Sequence, residues 1–537
     1  MWVEGIQVRF RINEKVLVER GQLVKVIDRG QKFILRVYDF KPESLLTPAE
    51  ISMVSKRVEH GESVNLYDKG LRLYDTALST ILCQVDEGGR VHGPTAVPSL
   101  FSVVESLNDE DLEQLNLDTG DILLGHVRVG HKRSDAVVSL NGSKAIPHHI
   151  LVCGVTGAGK SNLGKVIAAS IMVNEERRYS LILFDCENEY IVGSSSGHYG
   201  LAHLPQSEDR LFYVTDRVEK PCRLKVKLRV DGISVERSVM SHPLKVRLCD
   251  LNPLDFVMTG EFSGPQEELL WLARRAFGKN WITELLRSDI KSLYRRLGRL
   301  VSVNTINVTR RKLQHMIGRG DVFVEECETD LLRAILGAVT KGMVILIDTP
   351  FITEGEEKLL SVAIARRIFN MYENMRKKSP EEWESLPYVL IMVEEAHRYL
   401  AKHNITTNGE VRENIFSIIG KRGRKYKVGG LYITQMPGEL METVIRQTLT
   451  KIILPLPTRP DYTKIINYSP YLDEAEQEIK TLDRGEALIV SPPSGIRFAV
   501  PAKIFSFEEL VEELIKGENV FTLAKKEKIV KTHVRSI

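Results

Sequence analysis

Residues 154–161 read Gly-Val-Thr-Gly-Ala-Gly-Lys-Ser, a full match to G-x-x-x-x-G-K-[ST]. The apolar run HHILVC precedes this octapeptide and the helix-like stretch KSNLGKVIAASIMVN follows it. Few short patterns restrict a fold so tightly, because the motif works only between a buried strand and the start of a helix. Its glycines let successive N–H groups face phosphate oxygens, and the helix adds the positive end of its dipole. A chance glycine turn would lack both flanks. Gly154, Thr156, Gly157, Ala158, Gly159, Lys160, Ser161 and Asn162 are therefore expected to cradle a nucleoside triphosphate. In that cradle Lys160 reaches the β- and γ-phosphates, and the Ser161 hydroxyl ligates Mg²⁺.

Around the turn, the chain reads as buried strands alternating with helices. SLILFDC (180–186), MVILIDT (343–349), YVLIMVEE (388–395) and GLYITQ (430–435) are short apolar runs separated by helical stretches. That grammar predicts a mainly parallel sheet covered on both faces. The first forty residues instead alternate polar and apolar in short segments, which predicts strands of a small barrel or sandwich. Residues 264–341 carry helical periodicity with almost no strand signal. With roughly 100–200 residues per domain, 537 residues imply several units. The predicted organisation is an N-terminal β-barrel-like domain (1–138) and a first core segment (139–263). A helical insertion (264–341), a second core segment (342–505) and a basic tail (506–537) follow. The fold class is multidomain α/β.

A phosphate cradle hydrolyses nothing without carboxylates near the γ-phosphate. Glu394 and Glu395 end an apolar run, and a strand terminus beside the P-loop strand is the expected place for such acids. Glu394 is expected to hold Mg²⁺ through water, and Glu395 to polarise the attacking water. The competing reading is a solvated helix start, where acids also favour the dipole. Asp185 closes another strand, placed to orient a metal-bound water or the catalytic glutamate, or simply to cap. Asp348 is read as structural. Gln435 is expected to hydrogen-bond the γ-phosphate. In IIGKRGRKYKVGG, Arg422 and Arg424 fall where a helix runs out, so a guanidinium there can reach a neighbouring subunit's nucleotide, or is simply a solvated basic helix end favoured by the dipole.

Lys+Arg 74 against Asp+Glu 71 gives a net charge of +3, so any nucleic-acid surface must be a local patch. CRLKVKLRVDG puts Arg223, Lys225, Lys227 and Arg229 on one face of a strand. This is a pore hairpin or a charge-protected edge strand. The tail lysines Lys525, Lys526, Lys528 and Lys531 can serve a subunit contact, DNA or nothing. His148 and His149 have no acid or cysteine at ligand spacing and are read as structural. The six cysteines form no CxxC pair, no run reaches membrane-span length, and the N-terminus lacks a signal-peptide layout. A cytoplasmic protein without a membrane anchor is expected.

On HHILVCGVTGAGKSN, DCENEY, MVEEAHRYL, GRKYKVGGLYITQMP and RGEALIV, the chain resembles the HerA/FtsK superfamily of ring-forming ATPases, and its HerA-type members in particular. The resemblance implies a RecA-like core using ATP and Mg²⁺, with Lys160, Ser161, Glu394, Glu395 and Gln435 in the roles above. It implies Arg424 as the finger acting in trans, with Arg422 behind it. It also implies a homo-hexamer that threads double-stranded DNA and feeds DNA ends to a NurA-type nuclease for resection. Two positions depart from the family pattern. Lys427 stands where glycine is common, and Met436 replaces the arginine of Gln-Arg-Pro. ABC ATPases and GTPases fit less well, since LSGGQ and NKxD are absent. DEAH-box helicases place their acids closer to the P-loop and add a second RecA-like domain. An ATP-gated scaffold that does not translocate, and a conjugation- or packaging-type DNA pump, remain as alternatives.

Overall fold

The computed structural model describes residues 2–516 apart from 14, 62–71, 194–197, 231–232, 298–299, 350–351, 402–405, 408–409 and 412–413. The four tail lysines lie outside the described residues.

One thirteen-stranded sheet organises the molecule. Its centre is a parallel run in the order Ile233–Pro243, Leu211–Thr215, Val344–Asp348, Tyr179–Asp185, Tyr388–Val393, Val428–Thr434, Ile150–Cys153, Thr450–Ile453. The strands are buried on both faces, and alternate residues divide between two cores. Leu151, Cys153, Ile182, Ile345, Ile391 and Tyr432 pack on one side. Ile150, Val152, Leu183, Leu346, Met392 and Ile433 pack on the other. The first side is covered by helices that include Gly264–Phe277, Val303–Ile317, Leu331–Thr340 and the long Glu354–Lys378. Thr353 starts that last helix with a reciprocal bond to Glu356, which satisfies otherwise orphaned N–H groups. The P-loop helix Lys160–Val173 lies on the second side, with Phe507–Lys516 beside it. Residues 507–516, within the span expected as tail, are thus an amphipathic helix that buries Phe507, Leu510 and Val511.

Antiparallel strands close both ends of the sheet. Cys222–Val230 forms one edge, its Arg223, Lys225, Lys227 and Arg229 exposed and its Leu228 and Val230 buried. Lys225 pairs with Glu236 on the adjacent strand at 3.2 Å. At the other end, Glu486–Ser491 and Ile496–Ile504 lead to the hairpin Ile122–Val129 and Lys132–Leu140. The core sheet therefore already includes residues from 122 onward.

A second, antiparallel sheet precedes it, in the order Trp2–Glu4, Gln7–Arg11, Leu73–Val85, Gln31–Ser44, Leu23–Asp28, Val104–Ser106. Val8, Phe10, Val26, Phe33 and Leu35 make its own small core, while Leu23, Ile34, Cys83 and Val85 join the core of the thirteen-stranded sheet. Between the two sheets sits an ionic cluster. Glu478, 3% exposed, lies 2.6 Å from Arg128 and 3.6 Å from Arg36, which is 1% exposed. The Arg36 guanidinium also donates to the Ala499 carbonyl at 3.5 Å.

Candidate functional site

The P-loop turn lies at the C-terminal edge of the parallel strands, where open α/β sheets place their ligands. Gly157 and Gly159 adopt φ +78° and +105°, left-handed values that a side chain would resist. Gly154 is glycine for a different reason, since a Cβ there would stand 2.8 Å from the Leu454 Cβ. Lys160 begins the helix, Ser161 follows in its first turn, and the Lys160 ammonium donates to the Gly154 and Val155 carbonyls at 3.0 Å. Burial pulls the Lys160 pKa down, while Glu395 and Glu394 push it up, so the two acids lie within its field. Behind the turn, the Gly485 N–H donates to the Ala158 carbonyl at 3.3 Å. Asn162 faces away from the turn. Its amide donates to the Phe505 carbonyl at 2.8 Å and accepts from the Phe507 N–H at 2.9 Å, tying this helix to Phe507–Lys516.

The acid-bearing strand is not the P-loop strand's neighbour, as its sequence position suggested. Val428–Thr434 lies between them and pairs in parallel with both. Adjacency cannot be read from apolar runs of equal length, because strand order is decided by the helices that connect them. The interposed strand ends in Gln435, whose side chain spans the gap. Its carbonyl oxygen accepts from the Thr156 hydroxyl at 2.6 Å, and its amide donates to Glu395 Oε1 at 2.9 Å. Thr156, Gln435 and Glu395 are thereby one hydrogen-bonded chain across three strand ends.

Glu395 has φ +45°, a left-handed value rare for a residue with a side chain. Non-glycine residues held there cost of order 1–3 kcal/mol and gather at functional sites. His397 Nδ1 lies 3.3 Å from Glu395 Oε2 and 3.4 Å from the Thr434 hydroxyl. Glu394 points to the other side, accepting from the Tyr190 hydroxyl at 2.6 Å. Burial pushes its carboxyl up to about 7, and the neighbouring charges of Asp185, Glu189 and Glu395 add to the rise.

Asp185, 1% exposed, spends its oxygens on the backbone N–H groups of Glu189 (3.1 Å) and Tyr190 (2.8 Å). Burial raises its pKa against the lowering effect of those bonds. It thus fixes the DCENEY loop, and reaches Glu394 through Tyr190. Asp348, equally buried, accepts from the Tyr213 and Thr215 hydroxyls.

Arg422 and Arg424 are at the opposite end of the sheet from this cluster. They precede Val428–Thr434, whose seven residues rise roughly 20 Å at about 3.3 Å each. Arg422 is engaged within the chain, 2.6 Å from Glu373 and stacked over Phe369 and Tyr426. Arg424 is exposed in the turn Gly423–Tyr426.

Sequence reasoning gave no role to Tyr190 or His397, which directly hold the two glutamates. Both stood in quoted motifs, the aromatic of DCENEY and the histidine of EEAH, and their presence beside acids was the available signal. The oxygen donors gathered here suit a hard cation such as Mg²⁺. Glu395 Oε2 is buried and makes no hydrogen bond, its nearest cation being the His397 ring at 3.3 Å, so it keeps acceptor capacity for such an ion.

A family model of the HerA helicase central domain matches residues 122–368. It begins at the first strand of the hairpin that completes the core sheet. The chain is 24% identical over 458 residues to the DNA double-strand break repair helicase HerA of Pyrococcus furiosus, spanning 79% of this chain and 77% of that one. It is 23% identical over 457 residues to the protein of the same name from Saccharolobus solfataricus, spanning 84% and 81%. A solved bacterial conjugative coupling protein, TrwB, aligns with 11% identity and a TM-score of 0.46 over 74% of this chain and 92% of that one. With the P-loop, the paired glutamates and the bridging glutamine on one sheet edge, the chain is similar to HerA-type helicases along most of its length and is an ATPase.

Proposed function

We propose that the protein is an ATP-driven translocase on double-stranded DNA, working as a homo-hexameric ring that feeds DNA ends to a partner nuclease of the NurA type. One observation carries the reading most. The Thr156–Gln435–Glu395 chain and Lys160 share one edge of the sheet, while the exposed Arg424 stands at the other. An arginine so far from its own P-loop can neutralise transition-state charge only at a neighbour's site, so the reading requires subunits side by side. The names of the relatives, helicases of DNA double-strand break repair, support DNA as the track.

In this mechanism the P-loop amides and Lys160 bind the β- and γ-phosphates. Glu395 orients the attacking water and accepts its proton, and its strained backbone fixes the carboxylate's direction. Gln435 touches both the P-loop threonine and that carboxylate, so it couples phosphate contact to the base. Ser161 and Glu394 would hold Mg²⁺, which when bound offsets charge on the phosphate oxygens. The N-terminal sheet takes the part of the family's barrel, and residues 264–341 that of its helical insertion. The exposed basic face of Cys222–Val230 is a candidate for phosphate contacts in the pore, which need no base readout.

The test is ATP hydrolysis with and without linear duplex DNA, alongside displacement of a triplex strand. The wild type is expected to be stimulated by DNA, less so as salt rises, and to strip the third strand. Lys160→Ala abolishes turnover, and Glu395→Gln binds ATP without hydrolysing it. Hydrolysis indifferent to duplex, with no strand displacement even when the nuclease is present, would turn the assignment to an ATP-gated scaffold.

A further inference from the structure

Tyr190 does more than fill the core. Its ring is 1% exposed and its three polar groups are all committed. The N–H goes to Asp185 at 2.8 Å, the carbonyl accepts from the Leu201 N–H at 2.6 Å, and the hydroxyl donates to Glu394 Oε1 at 2.6 Å. The phenol is therefore fixed from both sides of its backbone before it meets the carboxylate. Asp185, which fixes it, sits on the strand that pairs with the Glu394 strand. The P-loop helix closes the arrangement from above. A Cβ at Gly164 would stand 2.7 Å from the Tyr190 hydroxyl oxygen, 3.3 Å from its ring and 2.8 Å from Met392 Cε. A glycine one turn after Lys160 thus lets the phenol pass beneath the helix that carries the phosphate cradle.

We infer that Tyr190 is the positioning residue for the Glu394 carboxylate, aligning it for Mg²⁺ by holding one of its two oxygens, and that Gly164 is glycine to admit it. The inference rests on the reading of Glu394 as the metal-holding acid. A partner behind a metal ligand commonly changes metal affinity 10–100-fold when removed, because the ligand loses its fixed direction. A phenol that merely packed would leave the metal requirement untouched.

The experiment measures binding of a fluorescent ATP analogue across a Mg²⁺ titration and in EDTA. Wild type, Tyr190→Phe, Gly164→Ala, the double variant and Glu394→Gln are compared, each with a thermal melt. Tyr190→Phe is expected to bind the analogue normally in EDTA while needing about tenfold more Mg²⁺ for the metal-dependent gain. Gly164→Ala is expected to raise the Mg²⁺ requirement as well, and the double variant to need no more than the larger of the two single shifts. An unchanged Mg²⁺ midpoint in Tyr190→Phe, beside a shifted one in Glu394→Gln, overturns the role of Tyr190 alone. Fully additive shifts in the double variant overturn it too, since the two residues would then act independently. An unshifted Glu394→Gln would instead remove the underlying assignment of Glu394.

Discussion

At the scale of single residues, Lys427 explains its own departure from the family pattern. It has φ +59°, so the backbone there favours glycine. The lysine is retained at that cost because its ammonium donates to the carbonyls of Trp383 (3.3 Å), Glu384 (2.6 Å) and Leu386 (3.2 Å). These are orphaned acceptors at the end of helix Pro380–Ser385. His149 is another residue settled by its surroundings. Fully buried, it accepts from the Gly430 N–H at 3.1 Å and lies 3.1 Å from the Gly420 carbonyl, and burial pulls its pKa down to about 4. The unfolded chain, with an ordinary value of 6.5, binds the proton first as pH falls. Stability from this residue is complete above pH 6.5 and is lost as pH falls toward 4, by at most about 3 kcal/mol. Urea melts between pH 7 and 4 are expected to show that slope, and His149→Asn to flatten it while lowering stability at pH 7. The structural reading of His149 was open to sequence because no carboxylate or cysteine stood at metal-ligand spacing to it. Tyr190 was hidden, because its partner Glu394 is distant in sequence and only the fold brings them together.

At the scale of elements, legibility followed burial. Runs such as LILFD, VILID and VLIMV name themselves as inner strands, since only a residue set apolar on both faces survives between two helix layers. The alternation in CRLKVKLRV gave the exposed and buried faces of the edge strand correctly. Strand order was not legible, and the interposed Val428–Thr434 is the instance that matters for the site. Nor was the Arg36–Glu478–Arg128 cluster, whose members belong to three distant elements and carry no local signal. Its weight is testable. Glu478→Gln takes the paired carboxylate from buried Arg36 and leaves Arg128 only the more distant Glu486 at 3.8 Å, and breaking a buried pair in this way typically costs about 3–5 kcal/mol. Thermal melts and limited proteolysis are expected to show the N-terminal sheet loosening first. An unchanged protease pattern and melting temperature would mean that the apolar contacts of Leu23, Ile34 and Cys83 hold the junction alone.

At the scale of the whole molecule, the candidate nucleotide cluster and Arg424 lie at opposite strand ends of the sheet. Mixing two inactive variants tests whether they meet between subunits. Arg424→Ala and Glu395→Gln proteins, each expected to be inactive alone, are expected to recover part of the wild-type ATPase rate when combined. Some junctions then carry both intact residues. No recovery over a range of ratios, with mixed assemblies verified, would place Arg424 outside the reaction. The junction beneath the N-terminal sheet bears on how such a chain can evolve. Glu478 answers arginines from both sheets, so shedding or exchanging the N-terminal sheet would remove Arg36 and leave Glu478 half-answered in newly wetted surface. The sheet is consequently not a detachable module. A relative that lacks it is expected to carry a different residue at the position of Glu478, a change that can be sought in sequences alone.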